Sequence, residues 1–116
     1  MAGYTIPDLA LSREYAVSAA GGAATTAYGK LRSINKLKLT KAKAWVTVAG
    51  TAAGHKFDIM VGTNSVGSLP LGTGIPDTAV EVALNVEVAA GAAVTLKSGA
   101  DATGKADVVL EYRRND

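Results

Sequence analysis

The stretch Thr78–Gly91, TAVEVALNVEVAAG, carries the most regular pattern in this chain. Its apolar residues fall on every second position: Val80, Val82, Leu84, Val86 and Val88. Glu81, Asn85 and Glu87 stand between them. Alternation with a period of two is typical of a strand that turns one face to a core and the other to water. The stretch therefore predicts a β-strand that covers one side of a core.

Similar patterns on both sides of this stretch predict further strands. They cover residues 14–19, 24–31, 36–48, 56–62, 92–97 and 105–114. Within 36–48, the apolar face consists of Leu37 and Leu39 before Thr40, and of Ala42, Ala44, Val46 and Val48 after it. Residues 63–77 (TNSVGSLPLGTGIPD) are rich in glycine, serine and proline, and we predict a loop there.

The fold class follows from the number and spacing of these segments. About eight short strands separated by turn residues indicate an all-β protein. No helical period is present after residue 31. We predict a two-sheet antiparallel sandwich, with a jelly roll favoured because eight strands fit this length. An immunoglobulin-like sandwich is the alternative topology.

The first residues predict a separate extended segment. Pro7 lacks the N–H that a sheet ladder requires, so residues 1–13 are interpreted as an N-terminal arm and residues 14–116 as the sandwich domain. The arm carries four large apolar residues at loosely alternating positions, Tyr4, Ile6, Leu9 and Leu11. We predict that these four side chains bind a partner.

Composition limits the classes of function. The chain has 116 residues and no cysteine, which excludes disulfides, thiolate metal sites and a thiol nucleophile. No apolar run is long enough to span a bilayer, and the first residues lack the basic region and apolar run of a secretory signal. We therefore expect synthesis in the cytoplasm and no membrane partner.

Charge is distributed unevenly along the chain. Residues 1–60 hold eight Lys/Arg and three Asp/Glu, whereas residues 61–116 hold four and seven. A polarised chain suits head-to-tail contacts in a closed ring. Apolar residues make up 48% of the chain and are mostly small, which suggests a thin core and apolar burial between subunits.

Candidate catalytic groups are few. His55, the only histidine, lies in a predicted turn, and we expect it to be exposed there. Glu81 and Glu87 are about 20 Å apart along a strand, too far for a glycosidase pair. Asp101 and Asp107 flank a turn that lacks the dense oxygen ligands of calcium loops. We expect no enzymatic activity, no metal and no cofactor.

A basic run precedes and enters the predicted strand 36–48. It consists of Lys30, Arg32, Lys36, Lys38, Lys41 and Lys43, and Tyr28 and Trp45 flank it. Basic charge with stacking aromatics is typical of oligonucleotide-binding folds, but lysines also protect exposed sheet edges. We interpret Lys36, Lys38, Lys41 and Lys43 as partner-binding residues and do not expect nucleic acid or a small molecule as the partner.

The whole chain resembles the decoration (cement) proteins of tailed-bacteriophage capsids. The resemblance rests on the arm MAGYTIPDLALSRE, the sandwich pattern and the ending AVEVALNVEVAAGAAVTLKSGADATGKADVVLEYRR. It implies a jelly roll, a homotrimer, and binding to the major capsid protein at capsomer junctions on the virion surface. The alternative is a carbohydrate-binding or fibre-tip adhesion module, which would stack sugars on an exposed aromatic such as Trp45 or Tyr28.

Overall fold

The computed structural model describes residues 12–99 and 104–114. These residues form eight strands: β1 (Arg13–Gly21), β2 (Ala27–Leu31), β3 (Leu37–Val48), β4 (Lys56–Val61), β5 (Asn64–Pro70), β6 (Ala79–Val88), β7 (Val94–Ser98) and β8 (Lys105–Arg114). The predicted arm residues Tyr4, Ile6, Leu9 and Leu11 lie outside the described residues. The described residues contain no helix that is long and apolar enough to cross a membrane.

The strands form two four-stranded antiparallel sheets. The order is β1-β8-β3-β6 in the first sheet and β2-β7-β4-β5 in the second. The chain changes sheet between β1 and β2, whereas an immunoglobulin domain keeps its first two strands side by side in one sheet. The order therefore confirms the predicted sandwich and favours the jelly roll over the immunoglobulin-like alternative.

The core lies between the two sheets. Its largest fully buried apolar side chains are Leu37, Leu39 and Leu110 from the first sheet and Phe57, Ile59, Leu69 and Leu96 from the second. Several alanines are completely buried beside them: Ala20, Ala42, Ala44 and Ala106. The core is therefore built partly from small residues, as the composition suggests.

Strand β3 changes register at Thr40. The pairing shifts between Leu39 and Lys41 against both β6 and β8. The shift lets Leu39 and Ala42 both face the core, although they are three positions apart. A second shift follows Val46, and Val48 is 48% exposed. The prediction that Val48 faces the core is therefore wrong.

Strand β5 corrects the predicted loop at 63–77. Gly62 and Thr63 form a tight turn after β4, and the chain then pairs back along β4 up to Pro70. A Cβ atom on Gly67 would lie 2.8 Å from Leu84 Cδ2, so a larger residue here would require the Leu84 side chain of β6 to move. Serine and glycine replace the usual apolar residues of a strand here, which hid β5 from the pattern.

The edges of β1 and β2 are joined at Gly29. This residue has a φ of 68°, and a Cβ atom on it would lie 2.6 Å from Val17 Cγ2. The N–H of the next residue, Lys30, donates a hydrogen bond of 2.8 Å to the Tyr15 hydroxyl. Glycine at position 29 therefore closes this side of the sandwich.

We expect Gly29→Ala to destabilise the protein because it combines two effects. The left-handed backbone costs a non-glycine residue about 1–2 kcal/mol, and overpacking against Val17 adds about 1–3 kcal/mol. Urea unfolding of Gly29→Ala and Gly91→Ala separates the backbone effect from the overpacking effect. Gly91 also has a positive φ, 80°, but no atom lies within 4 Å of the added Cβ, so Gly91→Ala shows the backbone effect alone. Equal losses in the two variants would show that the contact with Val17 contributes nothing.

Candidate functional site

His55 is part of the core. It is 1% exposed, and its ring packs edge-to-face on Phe57 with the centroids 5.7 Å apart. Its carbonyl accepts hydrogen bonds from the N–H groups of Leu71 and Gly72 at 2.9 and 2.8 Å. The prediction of an exposed turn residue is therefore wrong: these backbone bonds tie the β3–β4 connection to the end of β5 and draw the ring inward.

The carboxylates considered in the sequence are separated in the structure. Glu81 and Glu87 are both exposed on β6, opposite Lys43 and Lys38 of β3. Asp107 accepts a hydrogen bond of 2.9 Å from the N–H of Ala19, whose φ is 52°. Asp107 thus supports an irregular point of β1. Asp101 lies outside the described residues.

A mixed-charge face covers the outside of the first sheet. The register places Glu111 between Glu14 of β1 and Lys41 of β3, and Lys43 beside Glu81. The Thr40 hydroxyl donates a hydrogen bond of 2.8 Å to Glu111 Oε1, which fixes that carboxylate at the register shift. Glu14 and Glu111 are direct neighbours, and each lysine has a glutamate on an adjacent strand, so the charge of this face is largely balanced within the protein.

An open cleft of about 210 Å³ lies on the mixed-charge face. Val109 and Trp45 line it together with the charged residues Glu14, Lys41, Lys43, Glu81 and Glu111. Trp45 is 38% exposed, and Lys43 Nζ lies 5.0 Å from the centroid of its ring. The lysine therefore already occupies one face of the indole as a cation–π partner.

Tyr28 does not join Trp45 as a second stacking residue. Its ring packs edge-to-face on Phe57 with the centroids 6.0 Å apart, and its hydroxyl donates to the carbonyl of Ala23 at 3.4 Å. Tyr28 is half-buried. The expectation that Tyr28 is an exposed aromatic is therefore wrong, which leaves Trp45 as the candidate for sugar stacking.

One end of the sandwich is strongly basic. Here β1 begins and β6 and β8 end, and the β2–β3 connection crosses between the sheets. We call this region the basic end and define it by six residues: Arg13, Arg32, Lys36, Lys38, Arg113 and Arg114. Lys38 stands between Arg113 of β8 and Glu87 of β6, the one acid opposite it at this end. Ile34, in the same connection, is 92% exposed.

The opposite end has a different character. Its three fully described connections, residues 22–26, 49–55 and 71–78, contain one Asp or Glu, Asp77, and no Lys or Arg. The strand termini at this end carry charges of both signs, with Lys56, Lys97 and Lys105 close to Asp58 and Asp107. The basic end therefore differs from it by its excess of one sign. The sequence pattern missed the basic end because Arg113 and Arg114 are about 75 positions from the lysines that they join, and only the pairing of β3 with β8 reveals the contact.

The four predicted partner-binding lysines fall into two groups. Lys36 is exposed in the β2–β3 connection, and Lys38 lies at the basic end of the outer face of β3, between Arg113 and Glu87. Lys41 and Lys43 lie farther along the same outer face, among Glu14, Glu81 and Glu111. The six-residue basic run therefore does not form one surface. Among the residues that the structure describes, no group of three or more histidine or carboxylate side chains could hold a metal ion.

Comparison with solved structures identifies the fold in other proteins. A chain of the acid-stable capsid of Helicobacter pylori bacteriophage KHP30 matches with a TM-score of 0.58 at 11% identity, over 89% of this chain and 93% of that one. A chain of the disulfide-linked pili of Bacillus endospore appendages matches with a TM-score of 0.50 at 11% identity, over 91% and 88%. A chain of the capsid of Ralstonia phage GP4 has a TM-score of 0.49 at 13% identity, over 90% and 84%.

The first two similarities show a shared β-sandwich fold. No protein-family model matches the chain. No curated protein matches its sequence.

Proposed function

We propose that this chain is a structural virion protein that binds the outside of a phage capsid at capsomer junctions. It acts as a homotrimer, stabilises the shell through contacts with the major capsid protein, and has no enzymatic activity. The likeness in fold to a chain of the KHP30 capsid supports this proposal, together with the resemblance to cement proteins in the sequence.

The observation that carries the proposal is the position of the basic end. Strand β1 begins at Arg13, opposite Tyr112 and next to the pair of Lys38 and Arg113, so the arm that precedes β1 is attached at the basic end. An apolar arm next to a basic surface suits a partner that offers apolar pockets within an acidic surface. The charges would steer association, and the apolar contacts would supply most of the affinity.

A disulfide-linked pilus, the assembly named for the Bacillus structure, is not available to a chain without cysteine. The carbohydrate-binding alternative depends on Trp45, where Lys43 occupies one face of the ring. A sugar could stack on that face of the ring only after the lysine moves, and this cost disfavours the carbohydrate-binding alternative.

Replacing the two basic-end lysines should slow capsid binding more than replacing the two on the mixed-charge face. We expect Lys36→Gln with Lys38→Gln to lower the association rate by roughly tenfold at low salt and to reduce its salt dependence. Lys41→Gln with Lys43→Gln removes the same formal charge from a balanced surface and should have a smaller effect. The measurement is association with purified capsids over a range of salt concentrations.

Three results would contradict the proposal. The first is an equal loss in both double variants. The second is a wild-type protein that fails to bind capsids at moderate salt but is retained on DNA, with a salt slope set by phosphate contacts. The third is retention on a glycan column that Trp45→Ala abolishes.

A further inference from the structure

The β2–β3 connection presents an apolar side chain between two basic ones. Exposure alternates along residues 32–36. The first, third and fifth side chains, Arg32, Ile34 and Lys36, are exposed, whereas Ser33 and Asn35 between them are half-buried. Ile34 is 92% exposed. We call Arg32, Ile34 and Lys36 the loop tip, because these three side chains face away from the sandwich.

The backbone of the loop tip is held in place. The buried ends of β2 and β3 flank the connection on both sides. The carbonyl of Ser33 accepts a hydrogen bond of 2.7 Å from the N–H of Gly91 in the β6–β7 connection, and the Ser33 hydroxyl accepts one of 3.2 Å from the N–H of Asn35. Ile34 is thus exposed on a braced loop, which reduces the ordering cost of binding.

The surroundings of Ile34 contain small uncharged residues and basic ones. The β6–β7 connection, which the bond from Gly91 joins to the loop tip, has the sequence AAGAA over residues 89–93, and residues 89–91 are exposed. The other large apolar side chains that the structure shows as exposed, Trp45, Val48 and Ile75, lie outside the basic end. Ile34 is therefore an apolar centre within a region of mainly positive charge, and an apolar centre with a polar rim is typical of a protein interface.

We propose that Ile34 is an apolar anchor of the basic end and enters an apolar pocket within an acidic surface of a partner protein. This inference rests on the proposed function, in which the partner is the major capsid protein, and it names a residue that contacts this partner. Arg32 and Lys36 meet carboxylates at the rim of the pocket and steer association. Ile34 fills the centre of the contact, where the residues that contribute most to affinity are found.

The chemistry of the loop tip favours a protein over other anionic partners. Single-stranded nucleic acid is bound by basic residues together with exposed stacking aromatics, and the exposed aromatic of the described residues is Trp45 on the mixed-charge face. An anionic bilayer would receive a single isoleucine, which buries far less apolar surface than a myristoyl chain, and even that chain gives only marginal membrane binding. A braced side chain of fixed shape suits a pocket of fixed shape.

We expect Ile34→Ala to weaken binding to purified capsids about tenfold, mainly through faster dissociation. The association rate and its salt dependence should stay within about twofold of the wild type, because no charge is removed. The matched control is Ile75→Ala, which removes the same side chain from a position 67% exposed at the opposite end and should leave both rates within about twofold. Circular dichroism checks that both variants keep their strands.

The absence of cysteine allows a second test by photo-crosslinking. Ile34→Cys and Ile75→Cys are each labelled with benzophenone maleimide, mixed with capsids and irradiated. We expect a crosslink to the major capsid protein from position 34 and none from position 75.

The outcomes separate this inference from the proposed function. Capsid binding by the wild type with no loss in Ile34→Ala, an equal loss in Ile75→Ala, or equal crosslinking from both positions would overturn this inference alone. A wild-type protein that does not bind capsids would overturn the proposed function and this inference with it. Binding to phosphatidylglycerol vesicles or to DNA that Ile34→Ala abolishes, with capsid binding unchanged, would also overturn the inference, because the loop tip would then serve a lipid or a nucleic acid.

Discussion

Phe57→Ala is expected to lower the free energy of unfolding by about 3–5 kcal/mol. Phe57 is completely buried, and the rings of Tyr28 and His55 pack on it at centroid distances of 6.0 and 5.7 Å. Alanine would leave a cavity and remove both edge-to-face contacts. Since domains of this kind are stable by only about 5–15 kcal/mol, urea unfolding should show a large decrease in the transition midpoint.

Ile34→Ala is the matched control for the loss of a large apolar side chain. Ile34 is 92% exposed, so its removal should change the free energy of unfolding by no more than about 0.5 kcal/mol. A Phe57→Ala variant that is as stable as Ile34→Ala would show that the aromatic cluster is not the centre of the core.

Deletion of residues 2–12 should abolish trimer formation and capsid binding while the sandwich stays folded. Burial of each large apolar arm residue contributes roughly 1.5–3 kcal/mol before ordering costs. A net loss of about 3 kcal/mol already weakens binding more than 100-fold. Light scattering and co-sedimentation with capsids measure the two losses, and circular dichroism follows the strands.

A full-length variant with serine at positions 4, 6, 9 and 11 is the control for arm length. It should lose binding as the deletion does, because the apolar side chains and not the length of the arm supply the affinity. If the deletion unfolds the sandwich, the arm belongs to its own core. If the serine variant still binds like the wild type, the apolar contacts are not responsible.

The strands that could be predicted are those whose alternation matches their burial. In β6 and β8, every second residue is apolar and faces the core, and the pattern reads directly as a strand. Strand β5 could not be found this way because Ser65, Gly67 and Ser68 pack through their backbone against neighbours. Its edge position requires few apolar side chains, so the sequence looks like a loop.

The candidate surfaces could be identified only from the strand order together with the sequence pattern. The sequence groups Lys36, Lys38, Lys41 and Lys43 as neighbours, but only the pairing shows that Lys38 lies next to Arg113 whereas Lys41 and Lys43 lie next to Glu111 and Glu81. The burial of His55 could not be predicted from the sequence either, because it depends on backbone hydrogen bonds from Leu71 and Gly72, sixteen and seventeen positions away. Contacts between residues this far apart in the chain produce no local sequence pattern.

The meeting of the start of β1 and the end of β8 at the basic end has a consequence for attaching foreign peptides to this domain. A peptide fused after β8 would emerge beside the arm, on the side that the proposed function turns toward the shell, and would interfere with attachment. Peptides inserted into the connections of the opposite end, such as the exposed positions around Ile75, would project outward from the particle. The jelly-roll order thus makes the β5–β6 connection, and not the end of the last strand, the suitable site for surface display.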